Sequence, residues 1–244
     1  MHRIRRHIAA AVLIALPAVA LAATVPVAIR AAVADTARPA EDIARDADRK
    51  PAEVMAFAGV RKGAKIAELA PGGGYFTRLL SLAVGPGGRV HASAGRTSAA
   101  VEAWARTHPQ VTFSIIKAGE AIAPEAVDIV WTTQNYHDFK NAKVGDSDAA
   151  ALYNAAAFKA LKPGGVYLIN DHAAAVGAPA DVTSTLHRIE EATVIREVEA
   201  AGFKLSGRSD LLRHEADDHT QKVFETGVRG KTDQFLLKFI KPKR

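Results

Sequence analysis

The sequence predicts a three-layer α/β sandwich: a seven-stranded, mostly parallel sheet with an antiparallel last strand and helices on both faces. Three observations predict it. From about residue 51 onward, short apolar runs alternate with amphipathic stretches of helical length. Glycine-rich turns at 71–74, 85–88 and 163–165 separate them. Two apolar runs, 203–209 and 235–240, close the chain with no helical pattern between them, which suits an antiparallel edge.

In order, Pro51 opens a helix with Val54, Met55, Phe57 and Ala58 on its apolar face, and Gly59 and Gly63 follow it. Lys65–Leu69 is a first strand running into the turn Ala70-Pro-Gly-Gly-Gly74. Tyr75–Val84 is a helix, Arg89–Ala92 a second strand, Ala99–Thr107 a helix and Val111–Ile116 a third strand. Val127–Thr132 is a fourth. Asp148–Leu161 is a helix capped by Asp146 or Ser147, followed by the turn Lys162-Pro-Gly-Gly165 and a fifth strand, Val166–Asn170. Thr185–Ala201 reads as one helix, Phe203–Ser209 as the sixth strand and Phe235–Ile240 as the seventh. Residues 209–231 form a long polar connection, read as either a lid or a solvated loop. Trp104 and Trp131 read as packing residues.

Residues 1–34 read as an export signal. Arg3, Arg5 and Arg6 precede an alanine-rich apolar stretch from Ile8 to Ala28, and small residues fit cleavage after Ala22 or after Ala34. The alternative is an uncleaved anchor, against which Pro17 and Pro26 and the weak hydrophobicity of alanine argue. The expected location is periplasmic or secreted, with no stable membrane insertion after cleavage. Residues 35–50 read as a polar, loop-like or extended segment, and 51–244 as the folded domain.

Export changes the charge reading. The chain carries 32 basic and 26 acidic residues. Residues 1–34 hold Arg3, Arg5, Arg6 and Arg30 and no acid, so the remainder carries 28 basic residues against 26 acidic. That near-neutral domain gives no basis for a nucleic-acid partner; a small-molecule substrate is expected. The chain has no cysteine, which excludes disulfides, thiolate metal sites and cysteine nucleophiles.

Ligands of open α/β sheets bind beyond the carboxyl ends of the strands. The turn after the first strand therefore carries the functional reading. A dinucleotide fingerprint starting at Gly72 would need glycine at 77, where Thr77 stands, and the Gly-Lys-Ser/Thr of a phosphate loop is absent. What remains is an acid, Glu68, followed at +2, +4 and +6 by Ala70, Gly72 and Gly74, with Gly73 between the last two. This spacing suits a ligand with an ammonium group and ribose hydroxyls; a purely structural turn is the alternative.

The turn resembles motif I of class I S-adenosylmethionine (SAM)-dependent methyltransferases, enzymes with a Rossmann-like fold. Leu161-Lys-Pro-Gly-Gly165 and Glu199-Ala-Ala-Gly-Phe203 are similar to that family's entries to its fifth and sixth strands. The stretches RKPAEV, NYHDF, TLHRIE, SDLLR and RGKTDQF resemble a bacterial subgroup of exported methyltransferases. The resemblance implies SAM as cofactor, with Glu68, Ala70, Gly72, Gly73 and Gly74 beside its methionyl part and ribose and Glu120 near the adenine. The family's acidic ribose ligand at the end of the second strand is missing from Arg89-Val-His-Ala-Ser93. Ser93 or His91 would stand in, at a cost of about 1.5–3 kcal/mol for a lost charged acceptor.

Methyl transfer from a sulfonium needs proximity and orientation above all, plus a base where the acceptor must lose a proton. The fourth and fifth strands end in Gln134-Asn-Tyr-His-Asp138 and Asn170-Asp-His172. His137 is the first candidate base, Tyr136 and Asn135 would shape the acceptor pocket, and Asp171 would orient His172. Capping and loop hydrogen bonds are the structural alternative. A metal held by His137, Asp171, His172 and His187 is a weaker reading, and no metal is assigned. Two further functions compete: a non-catalytic binding protein on a methyltransferase fold, and a metal-dependent hydrolase. Against the hydrolase, the chain lacks both Gly-x-Ser-x-Gly and His-Glu-x-x-His.

Overall fold

A computed structural model describes residues 25–243. The basic start, most of the apolar stretch and the Ala22 cleavage position lie outside the described residues. Within them no helix is long and apolar enough to cross a membrane.

The elements run α1 (Val27–Val33), α2 (Ala40–Ile43), α3 (Asp46–Arg49), α4 (Pro51–Ala58), β1 (Lys65–Leu69), α5 (Tyr75–Val84), β2 (Arg89–Ala94), α6 (Ala99–Thr107), β3 (Val111–Ile115), β4 (Val127–Thr133) and α7 (Tyr136–Asn141). A two-strand hairpin follows, β5 (Lys143–Val144) and β6 (Ser147–Asp148). The chain then continues through α8 (Ala149–Ala160), β7 (Leu161–His172), α9 (Val182–Thr185), α10 (Glu191–Ala200), β8 (Lys204–Ser209) and β9 (Gln234–Ile240). The main sheet has the order β3-β2-β1-β4-β7-β9-β8. Strands β3 to β7 in that order pair in parallel, and β9 runs antiparallel to both β7 and β8. The predicted architecture and the antiparallel last strand are both present.

The order reverses direction at β1 and β4, so the tips of these strands open a crevice at the switch point. One core lies between the sheet and α1, α4 and α5, around Ile29, Met55, Leu79, Leu80 and Trp131. The other lies beneath α7, α8 and α10, around Tyr136, Tyr167, Phe203 and Phe239. Two sandwiched cores explain why the central strands are apolar on both faces rather than alternating. Trp131 is fully buried, and Trp104 stacks on His108 with ring centroids 3.6 Å apart.

Four local expectations are corrected. Residues 35–50 are not extended: they hold α2 and α3, fixed by ion pairs rather than by their own apolar pattern. Arg38 grips Asp46 through two bonds of 2.8 and 2.7 Å, and Arg78 of α5 reaches Asp42 at 2.6 Å. The helix read over 185–201 is two helices. Between them His187 takes a left-handed φ of 55°, and Arg188 turns inward to a bidentate pair with Asp217, both buried. The cap of α8 is Asp148, whose carboxylate accepts from the Ala151 N–H at 3.0 Å, not Asp146 or Ser147. Finally, β7 begins at Leu161 rather than Val166: Leu161 pairs with Val127, the pairing breaks over Lys162-Pro-Gly-Gly165, where Gly164 has φ 79°, and it resumes at Val166 opposite Ile129.

Candidate functional site at the strand tips

The glycine turn connects β1 to α5 at the sheet's switch point. Gly72 and Gly74 have φ of 56° and 84°, conformations that glycine adopts without strain. Ala70 is also left-handed, at φ 52°, where a side chain costs about 1–2 kcal/mol. Its conformation is held from both sides: its N–H donates to the Ser93 carbonyl at 2.8 Å, and its own carbonyl accepts from Asn135 Nδ2 at 3.0 Å. Gln134, at the tip of β4, is left-handed as well, at φ 58°. Strain of this kind collects where a site is over-determined by its surroundings.

Glu68 is 2% exposed and accepts a hydrogen bond from the Thr77 hydroxyl at 2.6 Å. Burial pushes its carboxyl up to about 7, although the Thr77 bond and the Arg78 charge oppose the rise. It borders a small hollow over the turn, shared with Arg45, Arg49, Tyr75, Gln134 and Asn135. The N-terminal segment thus supplies cations to the site. Arg45 and Arg49 stand over the Tyr75 ring, 4.9 and 4.7 Å from its centroid, and Arg49 donates to the Gln134 side chain. Burial, and then the Arg45 charge, lower Arg49 to about 10. These arginines went unseen in the sequence; the signal was there in Asp42, Arg45, Asp46 and Arg49, charges of both signs at helical spacing.

On one side the turn hollow adjoins a cleft of about 830 Å³, bordered by Ala70, Gly72, Ala94, Gly95, Ser98, Lys117 and Asp138 among others. On the other it adjoins a hollow of about 210 Å³ bordered by Arg45, Asp48, Arg49, Gln134, His172, Phe224 and Arg229. Residues of the polar connection therefore do line a pocket, and Asp217, paired with Arg188, anchors that connection.

The other expected site residues divide. Ser93 is 2% exposed with an unpartnered hydroxyl, and the strand runs on one residue past it, so Ala94, Gly95 and Arg96 meet the cleft instead. His91 lies earlier on β2 and bonds to Thr112 Oγ1 at 2.9 Å. Glu120 is exposed, caps the Lys117 N–H at 2.9 Å and borders a separate hollow at 119–126. Tyr136 is fully buried: Asn154 donates to its hydroxyl at 2.8 Å, that hydroxyl donates to Glu197 at 3.1 Å, and burial raises its pKa, so it packs in the core rather than shaping a pocket.

Asp171 pairs with His137, not with the His172 ring. Its Oδ2 accepts the His137 backbone N–H and its Oδ1 meets His137 Nδ1, both at 2.8 Å. Burial works against the charge on each. The partner outweighs it in both, leaving His137 above and Asp171 below their ordinary values. His137 Nε2 is buried without a hydrogen-bond partner, and His137 borders none of the three hollows. His172 does border the hollow, with Nδ1 bonded to Thr232 Oγ1 at 2.7 Å, and burial lowers it to about 4, so it is neutral at pH 7.

No family model and no curated protein sequence matches the chain. Solved structures do. A SAM-dependent methyltransferase from Aquifex aeolicus matches with a TM-score of 0.56 at 17% identity, over 80% of this chain and 89% of that one. The [4+2]-cyclase SpnF matches with a TM-score of 0.58 at 16% identity, over 81% and 82%. Aeropyrum pernix fibrillarin, solved with natively bound SAM, matches with a TM-score of 0.52 at 18% identity, over 80% and 76%. The chain has the class I SAM-dependent methyltransferase fold. A cyclase among the matches illustrates that this fold does not dictate one reaction.

Proposed function

We propose that the protein is an exported SAM-dependent methyltransferase acting on a small-molecule or envelope acceptor. The observation that carries this reading is the continuity of three hollows at one edge of the sheet. The cleft and the turn hollow share Ala70, Gly72 and Asn135; the turn hollow and the arginine-lined hollow share Arg45, Arg49 and Gln134. The cleft suits the adenosine, the turn hollow the methionyl part, and the third hollow the acceptor.

Each group then has a role this chain's residues can perform. Glu68 offers a carboxylate to the ammonium group, and a bound cation would draw its pKa down and favour the ionised form. Arg45 and Arg49 offer charge-assisted bonds to the carboxylate. Ser98, whose hydroxyl donates to the Gly72 carbonyl at 2.8 Å, lies on the ribose side. His172, neutral and bordering the third hollow, is better exposed to an acceptor proton than His137. Cleavage after Ala22 rather than Ala34 keeps α1, with its buried Ile29 and Ala32, in the mature protein.

The second reading, a non-catalytic ligand-binding protein, is favoured by one observation: Ala94, Gly95 and Arg96 bring no acid to the cleft at the end of β2. Titration calorimetry of the chain with SAM and S-adenosylhomocysteine tests the proposal. Saturable binding, abolished in Gly72→Val and weakened in Glu68→Ala, is expected. No heat at millimolar ligand would sink it. Binding without turnover on any hydroxyl, amine or thiol acceptor would favour the second reading.

A further inference from the structure

We propose that His137, Asp138 and His187 form a binding site for a divalent transition-metal cation of the zinc class. Asp138 Oδ1 lies 3.4 Å from His137 Nε2 and 3.5 Å from His187 Nδ1, and the donor atoms of all three residues lie within 4.8 Å of one another. A tetrahedral ion with metal–ligand distances of about 2.1 Å separates its ligands by about 3.4 Å. The two edges made by the carboxylate already have that length.

Both nitrogens are buried, and neither has a hydrogen-bond partner. His137 as a whole is 2% exposed. A buried ring nitrogen without a partner is disfavoured, because it loses water and gains nothing in return. Two of them facing one carboxylate oxygen at 3.4 and 3.5 Å, without the geometry of a hydrogen bond, mark a gap that a cation would fill.

The tautomer fits as well. His137 Nδ1 faces Asp171 Oδ1 at 2.8 Å, and Asp171 also accepts the backbone N–H groups of His137 and His172, each at 2.8 Å. A carboxylate so saturated with donors accepts a hydrogen bond from Nδ1–H, which keeps the proton on Nδ1 and leaves the lone pair of Nε2 facing Asp138. This carboxylate–histidine arrangement fixes metal-binding imidazoles. His187 is held in place by its left-handed backbone, and the Phe224 ring lies 4.8 Å from its own. Two imidazoles and one carboxylate, with no thiolate, select zinc-class ions over calcium or magnesium.

The ligand set differs from the histidine group read in the sequence. Asp171 stands behind His137, His172 turns to Thr232, and Asp138 takes the ligand position. The Asp138 side chain is 51% exposed and borders the large cleft, so a fourth coordination position would open there. An ion held by the three side chains would lower the pKa of a water in that position to about 7.

The test reads metal, not turnover, and is independent of the methyl-transfer reading. The full chain, stripped with a chelator, is titrated with Co(II) and followed by visible absorption, then competed with Zn(II). One saturable equivalent is expected, with the bands of four-coordinate Co(II), displaced by zinc. His187→Ala and Asp138→Asn change residues at or near the surface, so both should keep the wild-type circular dichroism. Each should weaken binding by more than the ~10–100-fold that loss of an outer-shell partner costs. Absence of saturable binding would overturn the proposal, as would unchanged affinity and spectrum in both variants.

Discussion

Replacing Glu68 with glutamine isolates the cost of burying one carboxyl group. Glu68 is buried, and its pKa lies near 7 rather than the ordinary 4.5. Between those values the folded chain holds a proton that the unfolded chain has released. The stability this group contributes is therefore complete below about pH 4.5 and is lost as pH rises through 7. At 1.36 kcal/mol per pH unit, the interval from 4.5 to about 7 amounts to about 3 kcal/mol. Glutamine keeps the shape and an acceptor for the Thr77 hydroxyl but cannot ionise. Urea denaturation of both proteins at pH 5 and pH 8 measures the difference, and titrating groups common to both cancel. Similar stability is expected at pH 5. At pH 8 the variant should be more stable by about 3 kcal/mol, or roughly 6–12 °C in Tm. Wild type and variant that differ by the same amount at both pH values would refute the reasoning.

Three further outcomes are expected. Arg188→Ala leaves the Asp217 carboxylate buried without its bidentate partner and should cost about 3–5 kcal/mol in urea denaturation; a loss under 1 kcal/mol would mean that the pair does not anchor the 209–231 connection. Gly74→Ala puts a side chain at φ 84°, with its Cβ 2.9 Å from Arg78 Nη1 and 3.1 Å from Val101 Cγ2. It should cost about 1–2 kcal/mol and weaken SAM binding, and an unchanged Tm would contradict it. SAM binding near pH 6 should release a proton in the wild type and none in Glu68→Gln, read by calorimetry in buffers of different ionisation enthalpy; equal release would dissociate Glu68 from the ammonium group.

The sheet was legible because its strands are apolar runs separated by glycines, and both signals are local. Residues 27–49 were not, because what folds them is distant: Asp42 answers Arg78 and Asp46 answers Tyr75, whose hydroxyl donates to it at 2.7 Å. The break between α9 and α10 was hidden for the same reason, since Arg188 finds Asp217 on another segment. At the site, the turn's residues were read from spacing, but the partners of the histidines were not. Asp138 and Asp171 are both near histidines in sequence. Only the short helix α7, which faces His137 toward β7, decides which carboxylate orients it. Glu120 and Ser93 were chosen by position in the chain, and a strand two residues longer than expected at β2 and an exposed turn after β3 moved them away from the cleft.

Amide hydrogen exchange with and without S-adenosylhomocysteine tests most directly whether a cofactor spans the strand tips. Slower exchange is expected in residues 70–78, 94–98 and 116–118 and in α3, the segments that border the cleft and the turn hollow. No change in those segments at saturating ligand, or protection confined to the separate hollow at 119–126, would contradict it.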